Sequence, residues 1–236
     1  MELQTIKTER LYVKVAAQLS KLVSEGAILP GERLPSEREL AEKLNVSRPT
    51  IREAMIALEL SGIVEIRTGS GIYINEKKTF IVSQDKGIGP FDILQTRSII
   101  EPQACALAVK HITDEQIKQL KAIIVDMQEE EKRPDSSEQA DKQFHRIIAH
   151  ATQNGAIISI VDWLWELRAK SDLSAAFAQQ LRAKGVHPSI DDHIKIVNAL
   201  EKRDAKLAEQ AMKTHLNNAT KAAATYFNSD EGTINA

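Results

Sequence analysis

The 236-residue sequence predicts a mainly α protein with a single β-hairpin, divided between a small N-terminal domain and a larger all-helical C-terminal domain. Three observations predict it. Residues 36–62 hold two capped amphipathic segments separated by a minimal turn. Residues 64–74 alternate apolar and polar side chains on either side of a Gly-rich turn, the period-2 pattern of a hairpin. From Phe91 to near Phe227 the apolar residues recur at helical spacing with cap residues between runs, and no strand pattern returns.

The first element spans residues 10–25, where Leu11, Val15, Leu19 and Leu22 share helical spacing up to Gly26. Pro30 and Gly31 mark a turn. Ser36 and Glu39 then form a capping box, and Leu40, Ala41 and Leu44 give a short helix its apolar stripe. Asn45 and Val46 supply a tight turn. Ser47 is a second N-cap before Arg48, Pro49 and Thr50, where a first-turn proline loses no hydrogen bond. The helix that follows buries Ile51, Ala54, Met55 and Leu58, carries Arg48 and Arg52 on the adjoining side, and ends at Gly62. Two short capped helices joined this way make a helix-turn-helix, whose second helix enters the DNA major groove N-terminus first. Arg48, Thr50 and Arg52 are then expected to face the bases, arginine being the side chain best able to grip guanine bidentately. The alternative is that Arg48 and Arg52 are solvated and pair with Glu53 or Glu59. In the hairpin, Val64 and Ile66 precede the turn and Ile72 and Ile74 follow it, with Gly69 and Gly71 at the tip. Such a wing brings backbone close to the sugar-phosphate edge, which glycine permits.

Beyond the wing, E-K-K-T-F-I-V-S-Q-D-K-G-I-G-P loses periodicity, so a linker is expected at residues 76–90, between a domain of residues 1–75 and one of 91–236. Six helices are expected in the second domain. The first covers residues 91–111, kinked or divided at Pro102. The second opens at a Thr113/Gln116 capping box, carries Ile117, Leu120, Ile124 and Met127, and stops at the loop E-K-R-P-D-S-S. The third covers residues 138–152, closed by Asn154 and Gly155. The fourth covers 157–182 and holds Trp163 and Trp165. The fifth runs from Ser189 to residue 202, the sixth from Asp204 to residue 227, and the tail S-D-E-G-T-I-N-A is expected to be disordered.

Composition narrows the class. Charged residues make up 27% and apolar residues 42%, as in a soluble globular protein. No run of about 18 apolar residues is available to span a membrane, and the first ten residues lack a signal peptide's apolar core. The expected location is the cytoplasm, with no membrane partner. Cys105 is the single cysteine, so it has no internal disulfide partner, and it reads as a small buried residue. Net charge is −2, and the first 78 residues carry 12 Lys and Arg against 11 Asp and Glu. Nucleic-acid binding is therefore expected from the placement of particular arginines, not from a basic domain.

The helical half sends polar residues inward. Asp141 and His145 are four apart, so they lie about 40° apart on one helix face, together with Phe144 and Ile148. His193 sits among Ile190, Ile196, Val197 and Leu200, and His215 among Ala208, Ala211, Met212, Ala219 and Ala222. Burying such groups without partners costs free energy. One divalent transition metal, Zn, Ni, Mn or Fe, would satisfy all four side chains. The alternative for any single histidine is a core imidazole hydrogen-bonded to a neighbour. His111, His150 and His187 do not share the face. Arg97 lies on the stripe of Ile93, Leu94, Ile100 and Ala104, where it either clamps an effector carboxylate or pairs with Glu101; Arg168 is a second candidate clamp. No second carboxylate is evidently paired with the metal set.

The runs L-P-S-E-R-E-L-A, V-S-R-P-T-I-R-E-A and L-E-L-S-G-I-V-E-I-R-T-G-S-G-I-Y-I resemble the winged helix-turn-helix of the GntR family of bacterial transcription regulators. The resemblance implies DNA contacts at Arg38, Ser47, Arg48, Thr50, Arg52 and Gly69. The later order D-x-x-F-H, D-H-x-x-I-V-x-A-L, then H-L is similar to the FCD effector domain of the FadR-like subfamily, an antiparallel helical bundle. That resemblance implies that Asp141, His145, His193 and His215 ligate the metal and that a small carboxylate metabolite binds at or beside it. Acyl-CoA-binding members lack this set, which argues against a fatty-acyl effector. The segments G-P-F-D-I-L-Q-T-R-S-I-I-E-P, D-K-Q-F-H and W-x-W-E-L-R look most like the hexuronate-utilisation branch. The expectation is a homodimeric regulator, a repressor by preference, reading a palindromic double-stranded operator under control of a hexuronate. Its rivals are a metal-dependent enzyme acting on a sugar acid, and a regulator whose metal is purely structural.

Overall fold

A computed structural model describes residues 10–75, 87–133 and 138–227. The expected linker up to residue 86, part of the loop before the third helix of the second domain, and the C-terminal tail lie outside the described residues. The chain forms two compact units. Of the described residues, one gathers those up to Phe91 with Ser171–Ala176 and 224–227; the other holds those between Asp92 and Lys170 and from Phe177 to Ala223.

In the first unit, α1 (Leu11–Ser24) and α2 (Glu37–Leu44) both pack on α3 (Arg48–Leu60), which β1 (Val64–Arg67) and β2 (Gly71–Ile74) follow. The Ser36 hydroxyl accepts from Glu39 N–H while the Glu39 carboxylate accepts from Ser36 N–H, so the capping box is complete. Asn45 adopts a left-handed conformation that turns the chain into α3, where Ser47 caps Thr50 N–H. At the other end of α3, Gly62 has φ of 70°; its N–H donates to Glu59 and that of Ile63 to Leu58. This is a Schellman stop, and it needs a residue comfortable at positive φ. The strands pair antiparallel with Val64 opposite Ile74 and Ile66 opposite Ile72, all four buried. Around them Ile51, Ala54, Met55 and Leu58 of α3 are buried as their spacing predicts. α1 is rotated from its expected face: Tyr12, Val15, Ala16 and Leu19 are buried, and Leu11 is exposed. The aromatic Tyr12 takes the inward position that Leu11 was assigned.

The second unit is built from α4 (Pro90–Ala108), α5 (Asp114–Glu131), α6 (Gln139–Ala151), α7 (Gly155–Lys170), α8 (Asp172–Ala183), α9 (Ile190–Glu201) and α10 (Ala205–Thr225), some of which extend into the first unit. α5 packs against α6 and α9, and α6 against α7. Its core runs from Cys105 and Ala108 through Leu120, Ile124, Phe144, Ile148, Ile196 and Leu200 to Met212 and Leu216. Of the two outcomes expected at Pro102, division does not occur: α4 runs through it. The single helix expected over 157–182 is two, because Ser171 interrupts it and its hydroxyl accepts from Ser174 N–H, starting α8 afresh. Among the described residues no helix is long and apolar enough to cross a membrane.

Candidate metal centre and nucleic-acid interface

α6 presents Asp141 and His145 from adjacent turns, α9 presents His193 and α10 presents His215. All four are buried, between 0% and 5% exposed. One ligand atom from each lies within 4.8 Å of every other. Ligands of a tetrahedral ion with bonds of ~2.1 Å stand about 3.4 Å apart, so side-chain adjustments of about 1 Å would bring this set onto one ion. The imidazoles pack edge and face: His193 and His215 ring centroids are 4.3 Å apart, His145 and His215 5.3 Å.

Hydrogen-bond bookkeeping favours a cation there. His193 Nδ1 donates to the Ser189 carbonyl at 2.7 Å, which turns the other nitrogen, with its lone pair, toward Asp141 Oδ1 at 2.9 Å. Two acceptors do not bond each other, so a proton or a metal ion has to stand between them. His145 faces the same conflict. Its Nδ1 contacts Glu101 Oε2 and its Nε2 lies 3.4 Å from Asp141 Oδ1, while a neutral imidazole has one N–H to offer. Burial by itself would push the Asp141 carboxyl up; the facing His145 and His193 rings hold it well below the usual carboxylate range. Burial and the neighbouring His193 and His145 push His215 well below the ordinary histidine value, so it is a neutral imidazole, and its Nδ1 is buried with no hydrogen-bond partner. An anionic oxygen and three inward imidazoles fit a divalent transition metal, which would supply Lewis acidity at a buried position.

Glu101 is the participant that sequence reasoning missed. The sequence offers it only as an i+4 partner for Arg97 and pairs no second carboxylate evidently with the metal set. It in fact serves both: its Oε1 accepts from Arg97 Nε at 2.6 Å and its Oε2 faces His145. Burial would raise its pKa, but the Arg97 and His145 charges bring it down to about 2. A carboxylate behind a metal-ligating histidine fixes the ring and raises its basicity. Arg97 is accordingly both inward and paired, 4% exposed, with its Cζ 4.5 Å from the Trp165 ring centroid. Arg168 Cζ is 5.2 Å from that same ring, and its guanidinium is held by Glu138. Trp163, two residues away, is 53% exposed.

On the reader, Arg38 is exposed and loosely paired with Glu42 at 3.6 Å. The Ser47 and Thr50 hydroxyls are 2.8 Å apart. The α3 arginines both reach Glu37 on α2. Arg52 Nε donates to the two Glu37 oxygens at 2.9 and 3.0 Å, and Arg48 lies 3.4 Å away. Arg48 is 47% exposed, whereas Arg52 is 13% exposed with its guanidinium 5.1 Å from the Phe91 ring centroid. Gly69, at φ of 77°, is exposed at the hairpin tip, where the space around it is open.

Comparison with known families decides the class. Residues 11–74 match the bacterial regulatory proteins of the gntR family, and residues 92–218 match the FCD domain. The chain is a GntR-family regulator with an FCD domain. This regulator is 35% identical over 240 residues to the Exu regulon transcriptional regulator of Escherichia coli K12, spanning 99% of this chain and 92% of that protein. It is 35% identical over 233 residues to the Uxu operon transcriptional regulator of the same strain, spanning 94% and 90%. To the Uxu operon regulator of Haemophilus influenzae it is 33% identical over 213 residues, spanning 89% and 80%. These relatives are transcription regulators and not enzymes, which removes the metal-dependent enzyme from consideration.

Proposed function

We propose that this regulator binds a palindromic operator as a homodimer, by preference as a repressor, and that a hexuronate reaching a metal held by Asp141, His145, His193 and His215 controls it. Residues 1–75 read the DNA and residues 91–236 sense the metabolite, joined by 76–90. One observation carries the sensor half: imidazole nitrogens from α6 and α9 converge on a single buried carboxylate oxygen, and the His193 nitrogen facing it has no proton to give while that ring is neutral. The names of the Exu and Uxu relatives support a hexuronate as the acid. For the reader, Arg38, Ser47, Arg48, Thr50, Arg52 and Gly69 contact DNA, with Glu37 aiming the two α3 arginines. For the effector, Arg97 and Arg168 meet anionic oxygens.

An electrophoretic shift assay at fixed salt, using the palindrome upstream of the regulated gene, tests this. D-glucuronate or D-galacturonate should release the metal-loaded protein, through a preference for one conformational state of roughly 1–3 kcal/mol. Arg52→Ala should lose about 1–3 kcal/mol of specific binding. Because Arg52 also holds Glu37, its melting temperature is measured alongside. Operator affinity unchanged by either hexuronate would defeat the sensor, and unchanged affinity in a folded Arg52→Ala variant would defeat the reader assignment.

A further inference from the structure

The helical unit holds a second polar nest that metal binding leaves unused. Glu138, at the N-cap of α6, is gripped through both oxygens: Arg168 Nη2 donates to Oε2, and Arg182 Nη1 donates to Oε1 at 3.1 Å. Its side chain is 11% exposed, and its backbone sits in the left-handed region at φ of 53°, unusual for a non-glycine residue. Arg168 and Arg97 share the Trp165 ring, whose centroid is 5.8 Å from that of His145, so the nest adjoins the imidazole cluster. Glu138 is also among the carboxylates that keep Arg97 charged against the effect of burial.

What the nest lacks is acceptors. Arg97 Nη2, Arg182 Nε and Trp165 Nε1 are buried donors with no hydrogen-bond partner. Buried donors left this way are costly, and three of them around Trp165 and Glu138 call for a small anion rich in oxygen. The chain already supplies one such anion, Glu138, in the position where paired guanidiniums would hold a ligand carboxylate.

We propose that Glu138 is an internal counter-ion occupying the effector-carboxylate subsite of Arg168 and Arg182, and that a sugar acid binds by displacing it. This deepens the proposed function and rests on its sugar-acid reading. The displaced carboxylate leaves for solvent, the ligand carboxylate takes both guanidiniums, and further ligand oxygens meet Arg97 Nη2 and Trp165 Nε1. Two consequences follow from the exchange. Neutral sugars cannot replace the lost charge, so acids are selected over them. The work of freeing the arginine pair is also subtracted from ligand affinity, which raises the concentration at which the regulator responds.

The test is isothermal titration of the full-length, Zn²⁺-saturated protein with D-galacturonate and D-glucuronate at one ionic strength. Glu138→Gln keeps the size and removes the charge, so it should bind at least one hexuronate tenfold tighter or more, and Arg182→Ala added to it should cancel the gain. Glu138→Asp, too short to hold both arginines, should tighten binding less, and it carries the test if the glutamine variant does not fold. Affinity unchanged or weakened in the folded variants overturns the proposal. If no variant binds either hexuronate, the sugar-acid reading has failed, and a thermal-shift titration with sodium acetate decides the counter-ion separately. Saturable stabilisation of Glu138→Gln and not of wild type supports it; none in either overturns it.

Discussion

At Asp141 a single oxygen receives two imidazole nitrogens, His193 Nε2 at 2.9 Å and His145 Nε2 at 3.4 Å, from two different helices. The chemistry of that oxygen depends on what stands behind the imidazoles. Burial would depress the His145 pKa, but the Glu101 carboxylate and the hydrogen bond to Asp141 raise it above the ordinary histidine value. A metal ligand has to be neutral imidazole, so protons compete for His145 from a higher pH than usual. Zn²⁺ affinity should be full on the alkaline side and fall as pH drops through that raised value, beginning above the ordinary histidine range. Glu101→Gln removes the main raising charge: the loss should move to lower pH, while affinity at alkaline pH drops about 10–100-fold with the weakened support. Competition against a chromogenic chelator across pH measures both, and a midpoint that stays put in the variant would contradict the assignment. Asp141 and His145 were legible from their i, i+4 spacing. The link from Glu101 to His145 was not, because it joins helices whose mutual placement no local pattern encodes.

Among the elements, those set by local chemistry came out as read. The Ser36/Glu39 and Thr113/Gln116 capping boxes, the Ser47 cap and the Gly62 stop each bind groups within a few residues of themselves, so their signals are complete in the sequence. Ser36→Ala should therefore destabilise the reader by about 0.5–2 kcal/mol, observable as a lower melting temperature, with α2 losing the end nearest Glu37. A loss below the error of the measurement would show that packing on α3 alone holds that helix. Elements decided by packing were read less well. The break at Ser171 was hidden because its apolar flanks continue the helical period, and α1 turned Tyr12 inward where the spacing favoured Leu11. Pro102 was expected to divide or kink α4, and the helix runs through it undivided.

On the scale of the whole molecule, the buried ligand cluster ties α6, α9 and α10 together, so metal occupancy should be part of stability. Chelation is expected to lower the melting temperature, and Zn²⁺ to restore it. Zn²⁺ at a hundredfold excess over its Kd adds about 2.7 kcal/mol, several degrees for a chain of this size. A hexuronate should add a further rise only in the metal-loaded protein; a metal effect with no hexuronate effect would mark the ion as structural. The sequence by itself determined most of the elements, the helix-turn-helix motif, the family and the four inward polar side chains, since caps, helical spacing and motif order are written along one segment at a time. Only the tertiary structure decided that those four side chains converge, that Glu37 holds both α3 arginines, and that Glu101 pairs with Arg97 and Glu138 with Arg168 and Arg182. Each of these joins side chains on different helices, and their contact is fixed by how apolar faces pack and not by any spacing along the chain.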